Sequence, residues 1–585
     1  MTLDHRAARA ARTPVVALSA LALLIAMALP GQARPDERVD FWLTVIHSND
    51  GESRLIPTDD DPGVARFATL VDRLRREART GPPPAGERGA KRGAIVVSSG
   101  DNFLAGAQFN ASLDKGVPFY DAIALELIGY DAFTIGNHEF DFGPDILADF
   151  IESFSSPVPF LSANLDVSAE PRLQELEGSR IVPSTVAKER GERIGIIGAV
   201  TPRLPAISSP RDVKVLEDVA GLVQAEIDRL SAQGVDKIVV STHLQNINEE
   251  ITVLRDLRGV DVVISGGGSE RLDPYPLLAP DADGNQIPVV TTVGDYGDLG
   301  RLVMGFNRSG DVVSISARSQ LFDVTTDLPV DRRVQAQVVE PVEAYVADLA
   351  ATTVATSEVL LNGDRGQVDP ETGDVTVAGV RNSETNLGSL MGDALLETGR
   401  NEAPEFGVVP PVVAIQNGGG IRASAGPGDV TLLDTFNVAA FSNFVSVVPG
   451  VTGSDLLALL EHGVAAVEVN DGRFSQVAGM RFSFDRSFPA GERIRELTLS
   501  EGDIPIVVDG ALVDPDRVIP LATNDFTARD GDGYPFEALG LTEFTTVGVT
   551  YQQSLADYLT ETLGGSVTAA DYPEGGLGRI TRIGP

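Results

Sequence analysis

The stretch Ala132-Phe133-Thr134-Ile135-Gly136-Asn137-His138-Glu139-Phe140-Asp141 decides how the chain is read. Ala132–Ile135 is a short apolar run with β-branched and aromatic residues, the composition of a buried strand. Gly136 ends it, and four polar side chains follow within five residues: Asn137, His138, Glu139 and Asp141. A strand that stops on glycine and spills amide, imidazole and carboxylate groups is delivering donors to a sheet edge.

Working outward, the same grammar recurs. Thr44–His47 runs into Ser48-Asn49-Asp50-Gly51-Glu52, and Ala94–Ser99 into Gly100-Asp101-Asn102. Lys237–Thr242 ends at His243, and Val262–Ser265 runs into Gly266-Gly267-Gly268-Ser269-Glu270. Amphipathic stretches such as Val64–Arg76, Tyr120–Ile128 and Val219–Ala232 lie between them. Strand and helix in alternation predict an α/β layered fold with a largely parallel or mixed sheet. In such sheets ligands sit at the carboxyl ends of the strands. One polar turn at a strand end is an ordinary turn, but five in series bring Asp, Glu, Asn and His side chains to one edge. Carboxylates crowded there need compensating cations. Two divalent ions about 3.5–4 Å apart, bridged by one carboxylate, are a known device for phosphate-ester hydrolysis, because they acidify bound water and neutralise the transferring phosphoryl group. His47, inside its strand, reads as a hydrogen-bonded structural histidine, and His462, on a helix over Asp455–Ala465, as a surface or packing histidine.

Composition narrows the classes. The 585 residues are 43% hydrophobic and 22% charged, which suits a globular chain of several domains and excludes disorder throughout. Lys plus Arg number 46 against 84 Asp plus Glu, a formal charge of −38. Such a polyanion lacks the basic footprint for a nucleic-acid polymer. With no cysteine, thiolate nucleophiles, disulfides and Cys-based zinc sites are excluded together.

At the start, Arg6, Arg9 and Arg12 precede the apolar run Val15–Leu29 and Pro30-Gly31-Gln32-Ala33. This pattern reads as a secretory signal over residues 1–33, cleaved near Ala33, and makes the mature chain an exported protein, periplasmic or secreted. A membrane anchor is the alternative, but the run is shorter than the roughly 20 residues a span requires. No other stretch approaches that length, and no protein partner is predicted. Val330–Ala351 is helical in pattern apart from Pro341, which should kink or interrupt it. It reads as a connector, after which segments such as Leu387–Leu396 and Asp455–Ala465 supply a second core. The Pro-rich piece Gly81–Gly86 reads as a surface loop. Pro280–Asn285 (PDADGN) reads as a hairpin turn, with a cation loop as the alternative.

In their order, IHSND, GDN, GNHEFDFG, SANL (Ser162–Leu165), IGIIGAVTP and STHL resemble the metallophosphatase/5′-nucleotidase family. ETNLGSLMGDAL (Glu384–Leu395), QNGGGIRAS (Gln416–Ser424) and DGDGYPF (Asp530–Phe536) resemble that family's C-terminal domain. The resemblance implies an α/β protein in three parts. A metallophosphoesterase-type β-sandwich flanked by helices would span residues 36–325, a connector helix 326–352, and a separate α/β nucleotidase C-terminal, substrate-binding domain 353–585. It implies two divalent ions, one held by Asp50, Asp101 and flanking ligands, the other by Asp101, Asn137 and His243. His138 would stabilise charge on the phosphate and leaving oxygen, with Asp141 orienting its imidazole and keeping it protonated.

The chain departs from the family pattern at two places. Glu52 stands where the first motif usually ends in His, and Gly268 and Glu270 stand in a motif that usually reads Gly-His-Ser-His or Gly-His-Ser-Gln. Glu52 and Glu270 are therefore candidate carboxylate ligands. Fewer imidazoles and more oxygens favour Mn²⁺, Mg²⁺ or Ca²⁺ over Zn²⁺. In the second half the resemblance places Arg381, Asn417 and Arg422 around a nucleotide, Phe441 and Phe526 on the two faces of its base, and Asp532 on its ribose hydroxyls. The expected activity is that of an exported 5′-nucleotidase releasing phosphate by in-line attack of metal-activated hydroxide. A broader phosphomonoesterase or phosphodiesterase, and a nucleotide-binding protein with an impaired metal centre, are the alternatives. Chemistry in one half and a base pocket in the other imply a domain rotation about the connector.

Overall fold

The computed structural model describes residues 38–58, 61–82, 84 and 89–584. The signal reading over residues 1–33 lies outside these, as does half of the Pro-rich loop. Phe41–Ser48, Lys91–Ser98 and Ala132–Thr134 are parallel neighbours in an eight-stranded sheet, with Asp298–Phe306 antiparallel on the other side of Phe41–Ser48. A six-stranded sheet holds Glu192–Val200, Ile238–His243 and Val262–Gly266 in parallel. Each strand begins or ends within a few residues of its sequence expectation, and the helices Val64–Thr80, Tyr120–Ile128 and Val219–Ala232 lie between them.

Side chains alternate across a strand, and here both sides of each sheet are covered. Leu43, Val45, Ile95 and Val97 meet Ile194, Ile196, Val239 and Ile264 between the sheets. Ile46 and Val96 point the other way, onto Phe67, Leu70 and Leu74 of the helix Val64–Thr80. Ile197, Val240 and Val263 face Val223, Ile227 and Leu230 on the far side. The result is a β-sandwich with helices outside both sheets. Fully burying one such side chain is worth about 1.5–3 kcal/mol, so two-sided burial explains why the strands read as continuous apolar runs.

The connector is helical from Arg332 to Ala351, and its middle turn, Gln335–Val339, is a wide π turn. Pro341 has no N–H to donate back along the helix, and the widened turn just ahead of it absorbs the lost bond without a break. Val334, Val338, Val339 and Val342 pack into the core beneath the first sheet.

Beyond it, Val413–Asn417 and Leu521–Asn524 are parallel neighbours in a five-stranded sheet, and Phe444–Val448 runs antiparallel beside the latter. Loops after the first two and before the third therefore open at one end. Helix Asn386–Glu402 packs against this sheet, and a second five-stranded sheet carries Met480–Phe484 and Ile494–Leu499. Pro280–Asn285 is the turn of a hairpin between Leu277–Pro280 and Gln286–Val290, its Asp281 accepting the backbone N–H groups of Asp283 and Asn285.

Candidate active site

Asp50, Asp101 and His243 leave three strand ends and bring one ligand atom each within 4.8 Å of the others, all buried. Asp101 Oδ2 lies 2.9 Å from His243 Nε2, and Asn137 Oδ1 lies 3.1 Å from the same nitrogen. His243 Nδ1 donates to the Ser99 carbonyl at 2.7 Å, which leaves Nε2 facing the centre. Asp50 and Asp101 sit at φ 51° and 53°, a left-handed conformation that side-chain-bearing residues rarely adopt and that turns both carboxylates inward. A β-carbon at Gly136 would lie 2.2 Å from Asp101 Oδ1, so the approach of these two loops requires glycine there.

The charges in this group are unbalanced. Burial pushes the Asp50 carboxyl up to about 6, and the Asp101 charge adds to it against the pull of His243. Burial opposes charge on His243 as well, but Asp101 and Asp50 outweigh it and push the imidazole up to about 10. A divalent ion would displace protons from ligands of this kind. Two buried carboxylates, an amide oxygen and an imidazole with its free nitrogen inward fit a divalent ion in both charge and donor type.

A second group joins Glu52, Asp101 and His138 within 4.8 Å. Burial, then the Asp101, Asp50 and Asp295 charges, push Glu52 up to about 7 against the pull of His138. Glu270 belongs to neither group; it is exposed, with Oε2 3.3 Å from where a β-carbon of Gly268 would sit. His138 Nδ1 lies 2.8 Å from Asp141 Oδ2, and its Nε2 faces Asp101 Oδ2 at 3.8 Å. Burial works against charge on His138, yet Asp141 and Asp101 raise its pKa well above the ordinary histidine value. The result is an imidazolium held beside the carboxylate cluster.

His138 and Asp141 also line a cleft of about 340 Å³ whose opposite wall carries Arg381, Asn417, Arg422, Phe441, Phe526 and Asp532. Chemistry-bearing residues of the first half and candidate substrate residues of the second thus share one space. Arg422 lies over the Phe441 ring, 5.4 Å from its centroid. Asn417 Nδ2 donates to Asp532 Oδ2 at 2.7 Å, and Asp532 is held in turn by its carbonyl on His462 Nε2 at 2.9 Å. The Nε of Arg381 is buried without a partner. Burial and the charges of Arg365 and Arg422 lower its pKa, so three guanidiniums gather where an anion would relieve them.

Several groups escape a reading by pattern. Glu139 is fully buried behind the centre and accepts the N–H groups of Asp101, Asn102 and Gly136 at 2.7–3.0 Å. Its position inside GNHEFD was the available signal. Ser208 donates to Asp141 Oδ1 at 3.0 Å, and its neighbour Ser209 donates to Asp525 Oδ2 at 3.1 Å, spanning from the dyad to the residue beside Phe526. Arg365 has no motif of its own. His47 is buried against Tyr275 Oη at 2.8 Å, and burial lowers it to about 3, a neutral packing residue. His462 packs on Tyr534.

Residues 353–539 match the model of the 5′-nucleotidase C-terminal domain. The 5′-nucleotidase of Diplobatis ommata is 30% identical over 88% of this chain and 85% of its own length. The chain belongs to the 5′-nucleotidase family. It is a phosphoric-ester hydrolase of a family that works with metal ions. The 5′-nucleotidase precursor of Thermus thermophilus shares 31% identity and superposes with a TM-score of 0.63, covering 93% of this chain and 99% of that one. The trifunctional nucleotide phosphoesterase YfkN of Bacillus subtilis is 28% identical over 86% of this chain, which spans only 33% of that longer protein. Among the described residues no helix is long and apolar enough to cross a membrane.

Proposed function

We propose that this chain is an exported 5′-nucleotidase that releases inorganic phosphate from nucleoside monophosphates, with residues 36–325 as the metallophosphoesterase domain, 326–352 as the connector and 353–585 as the substrate domain. The observation that carries the reading is the shared cleft: His138 and Asp141 face Arg381, Arg422, Phe441 and Phe526 across one space. Asp50, Asp101, Asn137 and His243 would hold two divalent ions, with Asp101 between them and Glu52 beside the first. When bound, such ions polarise the phosphoryl group and activate water for in-line displacement. Glu270, exposed in the same loop as Gly268, is a candidate outer ligand.

The remaining work falls to side chains. Arg381 and Arg422 draw the substrate anion into an otherwise acidic protein. Phe441 and Phe526 offer two π-faces to a base, and Asp532, oriented by Asn417, accepts from ribose hydroxyls. His138, charged and aligned by Asp141, donates a hydrogen bond to the phosphoryl and leaving oxygens as charge develops there. Rotation about the connector would open the cleft for exchange. The signal-like residues 1–33 support export.

The test is phosphate release from AMP, a UDP-sugar, a 2′,3′-cyclic nucleotide and an aryl phosphate, each with Mn²⁺, Mg²⁺, Ca²⁺ or Zn²⁺ added to chelated protein. Preference for AMP in kcat/KM supports the proposal. Preference for the aryl phosphate or cyclic nucleotide transfers it to a broader esterase, and tight AMP binding without turnover to a binding protein.

A further inference from the structure

The second ion of the proposed centre has three protein donors in Asp101, Asn137 and His243, too few for a divalent ion that prefers oxygen. A fourth polar side chain reaches the same point. The Gln245 carboxamide touches Asn137 Oδ1, the oxygen that also lies 3.1 Å from His243 Nε2. Gln245 follows His243 by two residues at φ 86°, a left-handed turn that brings both side chains back to one centre. The opposite wall is shaped to this: a β-carbon on Gly267 would lie 2.7 Å from Gln245 Cα and 2.9 Å from His243 Nε2. Behind the turn, Glu250 accepts the Leu244 N–H at 2.9 Å and pins the backbone between the two residues.

We propose that Gln245 is a direct ligand of the second metal ion, giving its carboxamide oxygen; the inference rests on the two-ion reading above. The Gln245 amide nitrogen donates to Asn137 Oδ1. The two ends of a carboxamide have the same shape, so a half-turn of the Gln245 side-chain torsion replaces N–H by oxygen at the same place. Asn137 and Gln245 would then each offer an amide oxygen to hold the ion. A neutral oxygen donor adds no negative charge to a cluster already crowded with carboxylates. It also biases the site toward Mn²⁺ or Mg²⁺ and away from Zn²⁺.

Gln245→Ala and Gln245→Glu variants of the full chain separate ligation from simple positioning. Glutamate keeps an oxygen donor but cannot donate a hydrogen bond to Asn137. Mn²⁺ titration by calorimetry, with electron paramagnetic resonance to tell a spin-coupled ion pair from single ions, reads the outcome without any turnover. The expected result is two Mn²⁺ per chain in the parent protein. The alanine variant should lose the coupled pair, with its second ion weakened more than 100-fold, and the glutamate variant should keep it. Alanine binding two ions with unchanged affinity overturns the proposal, and so does glutamate failing as badly as alanine, which would make Gln245 a donor that positions Asn137. If alanine does not fold, the glutamate result alone decides between the two. A parent protein that binds no ion pair at all refutes the two-metal reading itself, a distinct failure.

Discussion

Removing one aromatic face from the cleft should cost nucleotide recognition while sparing phosphate chemistry. Phe526 and Phe441 are both half-buried on the cleft wall, and Arg422 lies over only one of them, 5.4 Å from the Phe441 ring centroid. Stacking of a base on one ring is worth about 1–3 kcal/mol. Phe526→Ala should therefore lower kcat/KM for AMP by about 5- to 150-fold, since each 1.4 kcal/mol is a factor of ten. Phe441→Ala loses the same face and also the ring beneath Arg422, a contact worth about 0.5–1 kcal/mol at exposed sites. Ribose 5-phosphate, which has no base, discriminates between them. The Phe526 variant should hydrolyse it as the parent does, and the Phe441 variant should lose about two- to fivefold through Arg422 alone. Most of the AMP loss should appear in KM. Steady-state phosphate release on the two substrates is the assay. Equal losses on AMP and ribose 5-phosphate in the Phe526 variant would refute base stacking at this ring.

Three further outcomes follow from the same geometry. Glu139→Gln puts an amide N–H against the Asp101 and Gly136 N–H groups that now share one carboxylate oxygen, so Mn²⁺ affinity measured by calorimetry should fall about 10- to 100-fold. Ser208→Ala removes the hydroxyl that donates to Asp141 Oδ1, a bond worth about 1 kcal/mol, and kcat should drop about fivefold with metal content unchanged. Asp261, remote from the site, accepts the Ile238 N–H, and burial pushes its pKa from 3.8 up to about 8. A carboxyl raised in the folded state contributes its stability below pH 3.8 and loses it as pH rises toward 8. Asp261→Asn should therefore raise the melting temperature relative to the parent at pH 9 and leave the difference small near pH 4.

The sandwich was legible because both faces of each sheet are covered, so Thr44–His47, Ala94–Ser98 and Val262–Ser265 read as short runs rich in β-branched residues that end in polar or glycine turns. Asp50, Asp101, Asn137 and His243 were visible for a related reason, each lying within a few residues of the end of such a run. Pro341 signalled an irregular helix, but whether the chain would break or widen depended on the apolar face that Val338, Val339 and Val342 bury. Glu139 stood in the motif but its place behind Asp101 and Asn102 did not show there, and Gln245 was hidden, since what defines both is contact across other loops. Ser208 and Arg365 were hidden too, because a lone serine or arginine in a loop has no period to betray it. Glu270 shows the opposite limit: its type suits a ligand, while its side chain is exposed and outside both converging groups.

In the proposed centre Asp101 would be shared by two ions that serve phosphate release from a nucleotide. Asp101→Asn keeps the size and most hydrogen bonds of the side chain while removing its charge. Metal content and AMP hydrolysis should be measured together on the parent and this variant, after chelation and return of Mn²⁺. The parent should bind two ions and release phosphate steadily, and the variant should keep its fold, bind at most one ion and turn over at least a thousandfold more slowly. A variant that binds two ions and releases phosphate at the parent's rate would contradict this role of Asp101.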